Sequence, residues 1–235
     1  MKHRLRTMHL RNWGEEMYLS RIRLDAANRN TLRALTAPQK FHGALESSFS
    51  GARERRLWRI DNLNGGLYIL LLSEDIPDLS GFCRQYCRTA DDAQTKQYDR
   101  LLARITAGST WHFRLTANPT VSRKANRIGQ RGKVEACSIV DCSDKEPDSR
   151  LITQKEWLLT HCEKHGFRLS EDSFDVTQSR WLQFYKSDRN RVSLLAVTFE
   201  GTLEVTDAEL FRQALCAGIG RGKAYGLGML TVMHI

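Results

Sequence analysis

Near the C-terminus the chain reads GIGRGKAYGLGML, Gly218 to Leu230, with five glycines in eleven positions. Gly218, Gly220, Gly222, Gly226 and Gly228 surround Arg221 and Lys223. Glycines let backbone amides approach an anion closely, and the two cations add charge, so phosphate binding is the first chemistry to test. A Walker loop needs Gly-Lys-Ser/Thr, but Gly222-Lys223 is followed by Ala224, and its first glycine would fall on Ala217. A dinucleotide fingerprint starting at Gly218 would need its third glycine at Lys223. A helix precedes the stretch and a strand follows it, the reverse of both templates. A mononucleotide site is thereby disfavoured. Two readings stay open: a backbone suited to a longer phosphate polymer, or a tight connection whose glycines serve packing.

His161 and His165 lie four apart on an expected helix, but the order is H-C-E-K-H rather than H-E-x-x-H. The six cysteines, at 83, 87, 137, 142, 162 and 216, complete no zinc framework. No metal and no cofactor is expected, and reduced thiols are the plainer reading. The formal net charge of +9 favours a polyanionic partner. The longest apolar run, Leu67 to Leu72, cannot span a bilayer. Residues 1–16 lack the apolar core of a signal peptide, so no membrane association and a cytoplasmic location are expected.

The elements that must position this chemistry come from periodicity. Met17 to Leu24 alternates as a strand, and residues 1–16 read as an appendage. Helical spacing runs from Asn30 to Phe49, broken at Pro38. Arg55 to Ile60 and Leu67 to Ser73 are expected strands across the turn Asp61 to Gly66. A helix is expected around Pro77 to Thr89, then strands at Gln97 to Ile105 and Thr110 to Ala117. A basic loop, Asn118 to Lys133, follows. Gln154 to His165 is an expected helix stopped by Gly166, and Phe174 to Lys186 and Arg191 to Glu200 form an expected hairpin. Asp207 caps a helix to Ala217, and Met229 to His234 is the last strand. Each half spells strand, helix, strand, strand, helix, strand. The expected class is α+β, two tandem ferredoxin-like (βαββαβ) domains over 17–107 and 108–235.

Several segments in this order resemble the CRISPR repeat-processing ribonucleases, and within them CasE, the endoribonuclease family of the type I-E Cascade complex. They are MYLSRI at Met17, APQKFHGAL at Ala37, RERRLWR at Arg53, FRLTANP at Phe113, FEGTL at Phe199, and the G-x-G-x-x-x-x-x-G-x-G spacing from Gly218 to Gly228. The resemblance implies a metal-independent endoribonuclease acting on precursor CRISPR RNA at the base of the repeat stem-loop. The ribose 2′-hydroxyl attacks the adjacent phosphate, leaving a 2′,3′-cyclic phosphate. The implied partners are the crRNA stem-loop, other Cascade subunits including the backbone subunit, and indirectly target DNA. A non-catalytic RNA-binding scaffold of the same complex is the alternative.

Of seven histidines, His42 matches the family's catalytic position; read alone, it is an ordinary packing or surface histidine. Some relatives carry a tyrosine three residues earlier, where this chain has Gln39, which can orient but not transfer a proton. Water, Lys40 or another lysine are the candidates for the second proton carrier, and Lys223 is a candidate phosphate-neutralising cation. Candidate RNA contacts are Arg53, Arg55, Arg56 and Arg114; Arg123, Lys124, Arg127, Arg131 and Lys133 of the basic loop; Lys186, Arg189 and Arg191 at the hairpin; and Arg221 with Lys223. Arg59 extends the first basic run. Alternation puts 55, 57 and 59 on one face and 56 and 58 on the other, with Trp58 expected in the core.

Overall fold

A computed structural model describes residues 16–51, 54, 56–123, 133–137, 152–185 and 190–235, with Arg123 and Lys133 described as backbone only. The first unit opens with β1 (Tyr18–Arg23). Two short helices follow, α1 (Arg29–Leu35) and α2 (Gln39–Glu46). The Asn28 side chain caps α1 by accepting from the Asn30 amide at 2.8 Å. Pro38 separates the helices and starts the second, where its missing N–H leaves no bond unmade. β2 (Leu57–Leu63) and β3 (Gly66–Ser73) form a hairpin. Asn64 and Gly65, both at positive φ, make its two-residue turn. α3 (Ser80–Tyr86) and β4 (Ala93–Gln97) complete the unit. The antiparallel order is β2-β3-β1-β4, the ferredoxin-like arrangement.

One expectation is corrected here. Residues 97–105 are not a strand: β4 ends at Gln97 and α4 (Asp99–Leu102) follows. Tyr98, Leu102 and Ile105 are all buried and fall at helical spacing. The Asp99 carboxylate also accepts from the Met17 amide at 3.0 Å, fixing the turn out of the sheet.

The second unit begins with β5 (Thr110–Ala117). The ends of the expected basic loop are paired strands, β6 (Thr120–Arg123) and β7 (Lys133–Ala136), so that stretch is not all loop. α5 (Gln154–Cys162) starts at a capping box, with Thr153 and Glu156 each accepting from the other's backbone amide. Gly166, at φ 76, ends the 3₁₀ turn that extends it. A two-residue strand, β8 (Phe167–Arg168), was not expected. The long hairpin is β9 (Phe174–Tyr185) and β10 (Arg191–Val205), followed by α6 (Ala208–Ala217) and β11 (Leu230–His234). Asp207 caps α6 as expected, accepting from the Glu209 and Leu210 amides. The order β11-β5-β10, with β9 on the far side of β10, repeats the first unit's arrangement.

The first core places Phe41, Trp58, Ile69, Phe82 and Tyr86 between helices and sheet. The second gathers Trp157, Phe199, Phe211 and Leu215, and takes in Leu57, Leu72 and Met17 from the first unit. The two units therefore share apolar packing. Buried Arg59 ties them with polar bonds: its guanidinium pairs bidentately with Asp61 and donates to the carbonyls of Arg114 and Met229, at 2.9 and 2.8 Å. Among the described residues no helix is long and apolar enough to cross a membrane.

Candidate active site

α2 is amphipathic at short range. Phe41 and Leu45, four apart, point into the first core at 0% and 1% exposure. Phe41 is held by the rings of Tyr86 at 5.0 Å and Trp58 at 6.2 Å. That anchor fixes the rotation of the helix and leaves His42 at its half-buried flank. His42 Nδ1 lies 4.0 Å from Glu46 Oε1, one turn on. The other oxygen of Glu46 pairs with Arg56 Nη1 at 3.1 Å. Glu46 thus lies between the His42 ring and the Arg56 guanidinium. Sequence reasoning missed Glu46, although its i+4 spacing from His42 was a readable signal.

Arg56 is not the surface cation expected of an RNA contact. Its side chain is 4% exposed, paired with Glu46, and its guanidinium lies 3.7 Å over the Phe49 ring. Arg59 is likewise internal, and Trp58 lies in the core as expected, at 1% exposure. Arg114 is half-buried and lies near two carboxylates, Glu200 at 2.6 Å and Asp61 at 3.8 Å. Arg191 is exposed and donates to Gln183 Oε1 at 2.7 Å. Arg221 is exposed on the glycine loop and Lys40 is exposed on α2. Arg53, Arg55, Lys124, Arg127, Arg131, Lys186 and Arg189 lie outside the described residues, as do the side chains of Arg123 and Lys133.

Gln39 has a defined task. Its Nε2 donates to the backbone carbonyl of Tyr185, the end of β9, at 3.0 Å. The residue three before the histidine is therefore a strut from the helix to the hairpin of the second unit.

The glycine loop packs between the units. Gly226 sits at φ 78, and a Cβ there would come within 2.8 Å of the Trp58 ring. A Cβ on Gly218 would strike the Gly228 carbonyl at 2.7 Å and Leu57 at 2.9 Å. The loop closes on itself through the Ile219 amide to the Gly228 carbonyl, and Gly228 donates to Thr116. Gly220 lies against Trp157, and Gly222 caps a 3₁₀ turn, Lys223–Tyr225, packed on α2 and β2. The packing reading of the glycines is present in the geometry, and the same packing brings the Lys223–Tyr225 turn against α2, while the Lys223 charge acts on His165.

His161 and His165 are half-buried. His161 stacks on Trp157 at 4.4 Å. Burial first, then the charges of Lys164, His161 and Lys223, push His165 down to about 4. Cys83, Cys87, Cys137, Cys162 and Cys216 are free and buried. A broad hollow beside the C-terminal end of α2 is lined by Glu16, Glu54, Glu74, Asp75 and Asp78, a lining that repels phosphate.

The model of a family described as CRISPR associated protein matches residues 17–234. The chain belongs to this family. The CRISPR-associated endoribonuclease Cse3 of Thermus thermophilus is 32% identical over 231 residues, 92% of this chain and 99% of that one. The CRISPR system Cascade subunit CasE of Escherichia coli is 25% identical over 173 residues, 73% and 76% of the two chains. A solved structure of Thermus thermophilus Cse3, bound to an RNA representing a pre-cleavage complex, superposes with a TM-score of 0.70 at 30% identity. It covers 93% of this chain and 99% of that one. The tandem ferredoxin-like fold of the family is the fold of this chain.

Proposed function

We propose that the chain is the endoribonuclease that processes precursor CRISPR RNA, with His42 at the cut. The observation that carries this is His42 itself: half-buried beside Glu46, on a helix locked by Phe41 and flanked by the glycine turn. Its relative Cse3 is an endoribonuclease by name and was solved with RNA as a pre-cleavage complex, which supports the same activity here.

In the proposed reaction the ribose 2′-oxygen bonds to phosphorus and the P–O5′ bond breaks at the base of the repeat stem. The products are a 2′,3′-cyclic phosphate and a 5′-hydroxyl. One proton leaves the 2′-hydroxyl and one reaches the 5′-oxygen; His42, positioned by Glu46, moves one of them, and water or a lysine such as Lys40 moves the other. Lys223 neutralises phosphate charge as the phosphorane forms, and no metal ion is required. The first unit, 17–107, carries His42, and the second, 108–235, carries the basic loop, hairpin and glycine loop that hold the stem. Arg191, Arg221 and the cations outside the described residues contact phosphates, whereas Arg56 supports the site from within. The product stays bound, as a Cascade subunit would hold it, in the cytoplasm; CasE of Escherichia coli is such a subunit by name.

The scaffold alternative draws on Gln39, whose amide is engaged with Tyr185 and carries no transferable proton. Repeat RNA incubated with the protein in EDTA separates the readings: cut RNA supports the enzyme, and binding without cutting supports the scaffold. His42→Ala is expected to abolish cleavage while binding holds. If it cuts as fast as wild type, the site is elsewhere.

A further inference from the structure

We propose that Trp181 and Tyr185 form an aromatic shelf on β9 that stacks on unpaired nucleotides of the RNA beside the cut. The inference rests on the reading of His42 above. Side chains alternate along a strand, so 181, 183 and 185 share one face. Trp181 is 56% exposed and Tyr185 is 65% exposed. They are the only exposed Phe, Tyr or Trp side chains among the described residues. Phe184 sets the rotation of the strand: it is buried against the ring of Tyr225 at 5.0 Å, which turns Tyr185 outward.

Two features place the shelf at the site. The Tyr185 carbonyl accepts from Gln39, one helical turn before His42, so the end of the shelf is tied to the catalytic helix. Arg191 is the direct cross-strand partner of Tyr185 and is hydrogen-bonded to Gln183, placing a cation beside the rings. Between 179 and 185 this face holds Ser179, Trp181, Gln183 and Tyr185, with no carboxylate. Exposed rings, an amide and an arginine make a surface for single-stranded nucleic acid, where bases stack and a cation meets the phosphates.

The chemistry also limits which nucleotides fit. Bases within an A-form stem cover one another, and their edges lie in a groove too narrow for rings. Only unpaired nucleotides offer free faces. The two rings are four residues apart, roughly 13 Å along the strand, so each holds its own nucleotide. Tyr185, nearer His42, positions the strand for in-line attack, and Trp181 holds the outer flank.

The test measures binding of two repeat RNAs made uncleavable by a 2′-deoxy substitution at the cut. One carries unpaired flanks and the other is the stem alone. Trp181→Ala is expected to weaken the flanked RNA about tenfold and leave the stem unchanged, with Trp181→Phe restoring most of the loss. With cleavable flanked RNA, Tyr185→Leu is expected to slow cleavage and Tyr185→Phe to match wild type. Equal weakening on both RNAs, or no weakening on the flanked one, overturns the shelf. So does normal RNA binding with failure to join the Cascade backbone subunit, which would make the face a protein contact. His42→Ala run in parallel tests the function separately, because the binding comparison needs no cleavage.

Discussion

Arg59→Met is the perturbation whose cost the structure fixes most directly. Arg59 is 1% exposed, and its guanidinium donates to Asp61 twice, at 2.8 and 2.7 Å, to the carbonyls of Arg114 and Met229, and to Thr231 Oγ1 at 2.8 Å. Methionine fills the volume of the stem but leaves the Asp61 carboxylate buried, with only Arg114 at 3.8 Å to answer it. Removing one partner of a buried ion pair costs about 3–5 kcal/mol. For a chain of this size each kcal/mol lowers Tm by roughly 2–4 °C, so a fall of about 10 °C is expected in a thermal melt followed by circular dichroism. Arg59→Met combined with Asp61→Leu removes the orphaned charge and is expected to recover most of that loss. Because the bonds run from β2 to β5 and β11, the single variant should also slow RNA cleavage at temperatures where it is still folded. A single variant that melts within about 2 °C of wild type would refute the reasoning. So would a double variant no more stable than the single one.

Gly226→Ala forces an L-residue to φ 78 and drives its Cβ to 2.8 Å from Trp58; left-handed strain and overpacking together cost about 2–4 kcal/mol, read as a lower Tm and slower cleavage. An alanine variant that melts like wild type would mean the loop is free of Trp58. His165 is held neutral in the fold, at about 4 against an ordinary 6.5, chiefly by burial. Between those values the unfolded chain binds the extra proton, so stability is present above pH 6.5 and falls as pH drops toward 4. His161 is shifted down as well, also chiefly by burial, and adds in the same direction. His165→Gln should flatten that part of the stability-against-pH curve; an unchanged curve would place the effect elsewhere.

The fold was legible where its signals are local. Pro38 between two helical runs, Asp207 before an apolar face, and Gly166 at a stop each act through their own backbone, and each stands where expected. β4 was misplaced because Ala-Gln-Thr-Lys-Gln is an edge strand with almost no apolar alternation, while the leucines just after it suggested a strand and pack as a turn of helix. β8 is two residues long, below any periodic signal. At the site, His42 had no distinguishing local pattern and stood out only through the resemblance. Arg59 looked like the rest of a basic run because its partners are at 61, 114, 229 and 231, and nothing at position 59 announces them. Trp181 and Tyr185 were read only as strand residues, since alternation does not reveal where the cover of α5 stops.

Position 39 joins these threads. A tyrosine at that position would bring a second titratable group to within one turn of His42. Glutamine instead spends its donor on the Tyr185 carbonyl. Compared with a tyrosine, glutamine offers no proton carrier but fixes the distance between α2 and the hairpin. In-line attack depends on the angle between the 2′-oxygen, phosphorus and the leaving oxygen, and that angle is set by how the strand is held on both sides of the cut. On the proposed reading His42 remains one proton carrier beside this strut, with cations taking the developing phosphorane charge. On this argument Gln39 contributes through geometry: replacing it should change how well RNA is oriented at His42 and leave the pH dependence of cleavage in place.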